Sequence, residues 1–134
     1  MDIGSVLKNS KTIAVVGISD KPDRPSFGVA SYLLDHGYTI VPVNPNLSEW
    51  RGIQAYGSLS GIPSDVRVDV VDIFRKREDV APIVEEAIKI GAKVVWMQLG
   101  IVNEEAAKKA RGAGLEVVMD RCMKIEHMKW IKQI

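Results

Sequence analysis

Residues 12–36 read TIAVVGISDKPDRPSFGVASYLLDH, and the fold assignment depends on the pattern in this stretch. The run TIAVVG at 12–17 is apolar, too short for a helix and ended by glycine, which is typical of a buried strand. After a polar loop, residues 26–36 carry apolar side chains at helical spacing, and Gly37 supplies a natural C-terminal cap. The stretch therefore predicts a strand, a loop and a helix, in that order.

The same alternation continues along the chain. Further strands are predicted at 38–43, 68–74, 93–98 and 116–119, and further helices at 77–90, 104–111 and 125–134. Strands that alternate with helices in this way indicate an α/β fold with a parallel sheet. Since crossovers are right-handed, we predict a Rossmann-like doubly wound parallel sheet of about five strands. It forms a single domain over residues 1–134.

Two segments carry more specific expectations. Residues 46–64 contain several glycines and a proline and are predicted to be irregular, with a short strand near 55–56. In the last helix a stripe of apolar residues is predicted to dock on the sheet. The stripe consists of Ile125, Met128, Ile131 and Ile134.

Composition and charge narrow the class of protein. The 134 residues suffice for one domain, and 46% hydrophobic with 26% charged residues is typical of a soluble globular protein. A formal charge of +1 argues against nucleic acid as a partner, since such binders need a basic surface. The single cysteine, Cys122, excludes an internal disulfide and a cysteine-rich zinc site. No signal peptide or membrane-spanning run is visible, so we expect no membrane partner and a cytoplasmic location.

In a doubly wound sheet, ligands bind beyond the carboxyl ends of the strands. The loop after the first strand combines a turn glycine, Gly17, with the hydroxyls of Ser19 and Ser26. It also carries Lys21 and Arg24, and it leads into a helix N-terminus, where free N–H groups favour anions. Ser26 could instead serve only as the helix cap. Because the loop is longer and more charged than capping requires, we favour a phosphate site.

The usual dinucleotide fingerprint is absent from this loop. The pattern G-x-G-x-x-G would need glycines where Ser19 and Pro22 stand. The second strand ends at Asn44 rather than at the acidic residue that holds the ribose of NAD. No ATPase P-loop pattern occurs either. A nucleotide-like ligand is still possible, but NAD is disfavoured.

Other strand ends also carry polar residues. The third strand is followed by the cations 75–77, whose charge is unfavourable at a helix start and suits a ligand with several phosphates. The fourth is followed by Gln98 and a flexible backbone at 99–101. After the fifth comes Cys122, which is either a small apolar residue or a thiol activated by the neighbouring Arg121.

No constellation of catalytic residues is visible. His36 and His127 have no spacing that links them to a nucleophile or a metal, so catalytic and metal sites are both predicted to be absent. Asp69 and Asp72 are predicted to lie in one strand with side chains on opposite faces, which excludes a carboxylate pair.

Six segments together resemble a known family. The sequence is similar to small stand-alone coenzyme A-binding proteins, whose domain is similar to the CoA-binding domain of the succinyl-CoA synthetase α subunit. The resemblance covers nearly the whole chain. It is carried by IAVVGIS (13–19), PDRPS (22–26), VPVNPN (41–46), VDIFR (71–75), VVWMQLGI (94–101) and EVVMDRC (116–122).

The resemblance implies coenzyme A as the ligand. The first turn and its loop would face the phosphates, the segment after the second strand the adenosine, and the segment after the third strand the pantetheine and phosphates. The implied contact residues are Gly17, Ile18, Ser19, Arg24, Ser26, Val43, Asn44, Pro45, Phe74, Arg75 and Lys76.

We therefore predict a non-catalytic protein that binds CoA or acyl-CoA. The synthetase reaction needs a second domain with a phosphorylated histidine, and we expect this chain to be too short to include one. Two alternatives are open at this point. One is an enzyme acting on acyl-CoA, or a redox partner of the CoA thiol, through Cys122. The other is a regulatory or subunit-like domain that uses a protein partner or a second copy of itself.

Overall fold

A computed structural model describes residues 2–134. The main sheet is formed by β1 (Thr12–Val16), β2 (Thr39–Val43), β5 (Val70–Ile73), β6 (Val94–Met97) and β7 (Glu116–Val118), and a small hairpin by β3 (Glu49–Trp50) and β4 (Ile53–Gln54). The helices are α1 (Ile3–Asn9), α2 (Pro25–Asp35), α3 (Val80–Lys89), α4 (Glu104–Gly112) and α5 (Met123–Ile131). Short 3₁₀ turns lie at Leu59–Gly61 and Arg77–Asp79.

The main sheet has the order β2-β1-β5-β6-β7, and every neighbouring pair is parallel. From β1 the chain passes to β2 at one edge of the sheet. It then crosses to the other side of β1, where β5, β6 and β7 follow in order. The order reverses between β1 and β5, where Val16 lies opposite Ile73. In sheets of this kind the crevice at the reversal point is the usual ligand site. The predicted Rossmann-like, doubly wound architecture is confirmed.

The two faces of the sheet bury separate cores, because neighbouring residues of a strand point to opposite sides. Ala14 and Val16 of β1 point toward α3 and α4. Ile13 and Val15 point toward α1, α2 and α5. Both cores reach the carboxyl end of β1, which fixes the position of the loop that follows it.

Three local features differ from the predictions. Helix α1 is missing from the predictions because its seven residues are too few to establish a helical period, and it begins where the Asp2 carboxylate accepts the Ser5 N–H at 2.8 Å. The segment predicted to be irregular contains the β3–β4 hairpin. Its turn residues Arg51 and Gly52 both have positive φ, as a two-residue hairpin loop requires. Near 55–56 only a single bridge forms, between Tyr56 and Val43.

The prediction for the last helix is wrong about which face docks. The stripe Ile125, Met128, Ile131 and Ile134 is exposed, and α5 packs through Met123 and His127 on α1 and α2. His127 lies edge-on to the rings of Tyr32, His36, Tyr38 and Trp130. Its Nδ1 is 2.8 Å from the Tyr32 hydroxyl, and burial together with His36 lowers its pKa. These aromatic contacts determine which face of α5 packs on the rest of the protein. The spacing of apolar residues alone does not reveal them.

Asp69 and Asp72 have different roles. Asp69 precedes β5 and its Oδ2 accepts the N–H groups of Lys11 and Thr12, at 2.9 and 3.0 Å, where β1 begins. Asp72 lies within β5 between Val15 and Trp96 and is fully buried. Neither of its carboxylate oxygens has a hydrogen-bond partner, and burial raises its pKa well above the ordinary value.

The replacement Asp72→Val should increase the free energy of unfolding at pH 7 by about 1–3 kcal/mol, because it removes an unsatisfied buried polar group. Since the pKa of Asp72 is raised in the folded state, the wild type loses stability as pH rises above about 4. The gain should therefore shrink at pH 4. Urea denaturation at both pH values measures it, and Asp69→Ala, which uncaps β1, should destabilise the protein. A loss of stability in Asp72→Val at pH 7 would contradict the assignment.

Candidate functional site

Three clefts meet where β1 and β5 end. The polar cleft is lined by Gly17, Ser19, Lys21, Arg24, Pro25, Ser26 and Phe74. The proline cleft is lined by Val16, Gly17, Val43, Pro45, Gly57, Ser58, Leu59, Arg75, Asp79, Pro82, Ile83 and Glu86. The thiol cleft is lined by Pro25, Val29, Phe74, Arg75, Gln98, Leu99, Ile101, Cys122 and Ile125. Each cleft shares at least one residue with each of the others, so one extended ligand could occupy all three.

Gly17 lies where the polar cleft and the proline cleft meet. Its φ is +84°, a conformation that costs little only for glycine. A Cβ at this position would lie 2.5 Å from the Phe74 carbonyl oxygen and 2.9 Å from Arg75 Cδ. The ends of β1 and β5 approach so closely that no side chain fits between them.

Three hydrogen bonds fix the loop after β1. The Asn44 side-chain amide donates to the Ile18 carbonyl at 2.7 Å, and the Trp50 indole donates to the Ser19 carbonyl at 2.9 Å. The Ser19 N–H donates to Ser26 Oγ at 2.9 Å. Because α2 begins at Pro25, Ser26 lies inside its first turn, and the interpretation of Ser26 as a simple cap is wrong. Ile18 itself is fully buried, so only its backbone faces the loop.

The polar cleft carries positive charge at the start of a helix. Arg24 is the N-cap residue of α2 and its exposed side chain makes no capping bond, while Lys21 lies on the same loop. Within residues 2–134, no carboxylate forms an ion pair with either cation. Two unpaired cations and the positive end of a helix macrodipole create a site suited to phosphate.

The cations after β5 differ in their position relative to the three clefts. Arg75 lies between the proline and thiol clefts, and its guanidinium pairs with Asp79 at 3.1 Å. Lys76 is exposed at the start of the 3₁₀ turn and lines none of the three clefts. Of the three cations at 75–77, Arg75 is thus the one that lines these clefts.

The proline cleft has mainly apolar walls. Val43 and Pro45 come from the end of β2, as the sequence predicted, and Pro82 and Ile83 face them from the first turn of α3. These two α3 residues belong to a helix whose sequence pattern predicts only core packing. A flat ring between two such walls would be desolvated on both sides.

The thiol cleft lies on the side of the sheet opposite the proline cleft. Phe74 and Ile101 line it, together with Cys122, which is half-buried at the N-cap position of α5. Buried Gln98 also lines it, and its Oε1 accepts the Met123 N–H at 3.1 Å, which anchors the start of α5. The cleft therefore combines apolar walls with one thiol.

Trp50 is a site-supporting residue that the sequence did not predict. It is 1% exposed and belongs to the hairpin, yet its indole N–H holds the loop of the polar cleft. The only indication in the sequence is a tryptophan in a segment otherwise rich in turn residues. A long-range hydrogen bond from that segment cannot be inferred from local pattern.

Groups for acid–base or metal chemistry are few at the clefts: the carboxylates of Asp79 and Glu86 line the proline cleft, and Cys122 lines the thiol cleft. Among the described residues, no three of histidine, cysteine, aspartate and glutamate are placed to hold a metal ion. His36 and His127 belong to the aromatic cluster around α5, and Asp120 accepts the Gly100 N–H at 2.7 Å. Nor does any helix within residues 2–134 have the length and apolar character needed to cross a membrane.

A parallel doubly wound sheet with a cationic cleft at its reversal point is typical of nucleotide-binding proteins. The particular family follows from comparison with known proteins. The family model described as "CoA binding domain" matches residues 11–128. The chain belongs to this CoA-binding domain family, and the resemblance found in its motifs is confirmed.

The relatives are of two kinds. Bacillus subtilis YneT, named an uncharacterized protein, is 44% identical over 126 residues, which cover 94% of this chain and 92% of YneT. The solved structure of a hypothetical protein from Pyrococcus horikoshii OT3 is 46% identical with a TM-score of 0.91, and the match covers 95% of this chain and 88% of that one.

Relatives of the second kind are longer proteins that contain the domain as one part. The α subunit of ADP-forming acetate–CoA ligase I from Pyrococcus furiosus is 34% identical over 111 residues, and the match covers 76% of this chain. It covers only 24% of the ligase subunit. The domain thus exists both at about the length of this chain and as a minor part of a CoA ligase subunit.

We predict that Gly17→Ala destabilises the protein by about 1–3 kcal/mol from the positive φ alone, with the contact on the Phe74 carbonyl adding to this. Gly28→Ala is the matched control, because Gly28 lies within α2 with open space around it. That variant should gain about 0.5–1 kcal/mol from helix propensity. Thermal denaturation of both variants makes the comparison, and equal stabilities would refute the role given to Gly17.

Proposed function

We propose that this chain binds coenzyme A noncovalently across the three clefts and has no turnover of its own. One observation carries the proposal: a cationic cleft, an apolar cleft and a thiol-bearing cleft adjoin in pairs at the reversal point of the sheet, through Gly17, Phe74 and Arg75. CoA has three parts in the same arrangement, namely phosphates, an adenine and a pantetheine arm that ends in a thiol. Membership of the CoA-binding domain family supports the match.

The polar cleft is proposed to hold the diphosphate. Among the described residues, Arg24 and Lys21 have no carboxylate partner, so phosphate oxygens would meet cations that are free to bind them. Gly17 would let the diphosphate approach the backbone, because it places no side chain at the meeting point. Ser19 and Ser26 keep the loop in shape through the hydrogen bond between them.

The proline cleft is proposed to hold the adenine. The walls of Val43 and Pro45 on one side and Ile83 on the other would cover both faces of the ring. Asn44 would act as a positioning residue, because its amide is already bonded to the Ile18 carbonyl. Its side-chain oxygen also accepts the Asn46 N–H at 2.8 Å, which shapes the turn after β2.

The thiol cleft is proposed to hold the pantetheine arm. Phe74 and Arg75 line its entrance from the other two clefts, and Cys122 lies farther along. Lys76 is left as a peripheral charge, because it lines none of the clefts. In this arrangement Phe74 would contact the arm, and Arg75 would reach toward phosphate on the side of the proline cleft.

The absence of turnover is proposed from the chemistry of the site. A catalyst needs a nucleophile held by a base within hydrogen-bond reach. Cys122 is the one thiol of the chain, and no histidine lines the thiol cleft with it. Its place in that cleft favours one second candidate, thiol–disulfide exchange in which the Cys122 thiolate attacks a CoA disulfide, forming a protein–CoA mixed disulfide and releasing the other half as a thiolate. Purified protein that releases CoA steadily from acetyl-CoA would contradict the binding proposal.

The direct test of ligand identity is a calorimetric titration with CoA and with NAD. CoA should bind far more tightly, because the glycine fingerprint is absent and Asn44 replaces the acidic residue that would hold the ribose of NAD. Dephospho-CoA in the same experiment reports the contribution of the 3′-phosphate. NAD binding as tight as CoA binding would refute the proposal.

The phosphate contacts are tested by charge removal. Arg24→Ala and Arg75→Ala should each weaken CoA binding by about 1–3 kcal/mol, which is roughly tenfold to a hundredfold. The matched control is Arg111→Ala, since Arg111 is exposed in the last turn of α4 and lines none of the three clefts. If all three variants bind CoA equally while remaining folded, the phosphates are held elsewhere.

A further inference from the structure

An apolar row on α5 faces away from the core. Ile125, Met128 and Ile131 are 44%, 41% and 39% exposed, and they follow one another at intervals of three residues. Side chains three apart are neighbours on a helix surface, so the row is continuous. The opposite face of α5 makes the packing contacts through Met123 and His127. The row therefore leaves apolar surface in contact with water.

The row begins inside the thiol cleft. Ile125, its first member, lines that cleft together with Leu99, which is 64% exposed. Met128 lies one turn of helix farther along and does not line the cleft. An apolar surface thus leads from the place proposed for the end of the pantetheine arm out along α5.

We propose that this row holds the acyl chain of an acyl-CoA and that the protein prefers acyl-CoA with an unbranched, uncharged aliphatic chain over free CoA. This inference rests on the proposed function, because CoA must first occupy the clefts. The thioester sulfur would then lie near Cys122, and the chain would cover Leu99, Ile125 and Met128 in turn. Removing these side chains from water would supply the preference.

The charges around the row favour an uncharged chain. Lys129 pairs with Glu126 at 3.5 Å, and the Lys124 ammonium lies 5.6 Å from the centre of the Tyr32 ring. A dicarboxylic acyl group would have to lay its carboxylate on the apolar side chains of the row, while the two lysines within α5 already contact Glu126 and the Tyr32 ring. It would therefore gain less than an aliphatic chain of the same length.

The size of the row favours a chain over a protein partner. A stable protein interface buries about 800 Å² on each partner and involves about 20–30 residues on each side. The row and its start in the cleft present four large apolar side chains, which are Leu99, Ile125, Met128 and Ile131. A narrow line of this kind matches the width of one aliphatic chain.

The test is a calorimetric series with CoA, acetyl-CoA, butyryl-CoA, hexanoyl-CoA, octanoyl-CoA and succinyl-CoA on the full chain. Affinity should rise about twofold for each methylene half-covered on an open row, against roughly fourfold for complete burial. Succinyl-CoA should bind more weakly than butyryl-CoA. In Met128→Ser the gain from hexanoyl to octanoyl should disappear while the affinity for free CoA is unchanged.

Ile134→Ser is the matched control, because Ile134 is 82% exposed, lies three residues beyond the end of α5 and lines a different cleft with Trp130. It should leave the series intact. Equal affinity for CoA and octanoyl-CoA would overturn this inference and leave the proposed function standing, whereas failure of every ligand to bind would overturn both. A wild-type dimer that dissociates in Met128→Ser, seen by sedimentation, would assign the row to a second copy and also overturn it.

Discussion

The close approach of the β1 and β5 ends is the constraint on which the site depends. Gly17 lies where the loop between β1 and α2 passes the Phe74 carbonyl, and there is no room for a side chain between them. The reversal of strand order opens a crevice there, and Gly17 lines both the polar cleft and the proline cleft at that point. A side chain at this position would collide with the Phe74 carbonyl, so the strand ends would move apart or the side chain would separate the two clefts. The site is therefore a property of the sheet as much as of its loops.

Much of the fold can be predicted from the sequence because the parallel strands are short β-branched runs ended by glycine, proline or charge. The elements that escape prediction depend on contacts distant in sequence. The docked face of α5 is decided by His127 and its aromatic neighbours, and the stripe that begins at Ile125 misleads because apolar periodicity predicts burial. The hairpin that carries Trp50 is too short to have a period of its own.

The candidate site shows the same division. Arg24 could be placed at a cleft from the sequence because of its charge and its position after a strand, whereas Pro45 was indicated as a contact only by the family resemblance. The α3 side of the proline cleft could not, since Ile83 belongs to an ordinary amphipathic pattern. Asn44 was expected to lie along the ligand, and the structure gives its amide a bond to the loop backbone. Residue type predicts that a polar group is present, but not which partner it takes.

The hydrogen bond from Trp50 to the Ser19 carbonyl has a consequence for the thermodynamics of association. A loop that becomes ordered only on contact with its ligand loses conformational entropy at that moment, and the measured affinity falls accordingly. Here Trp50, Asn44 and Ser26 have already fixed the backbone, so that entropy is lost during folding. Ligand binding should then change the order of the loop backbone only slightly. The association rate should be limited by diffusion and orientation.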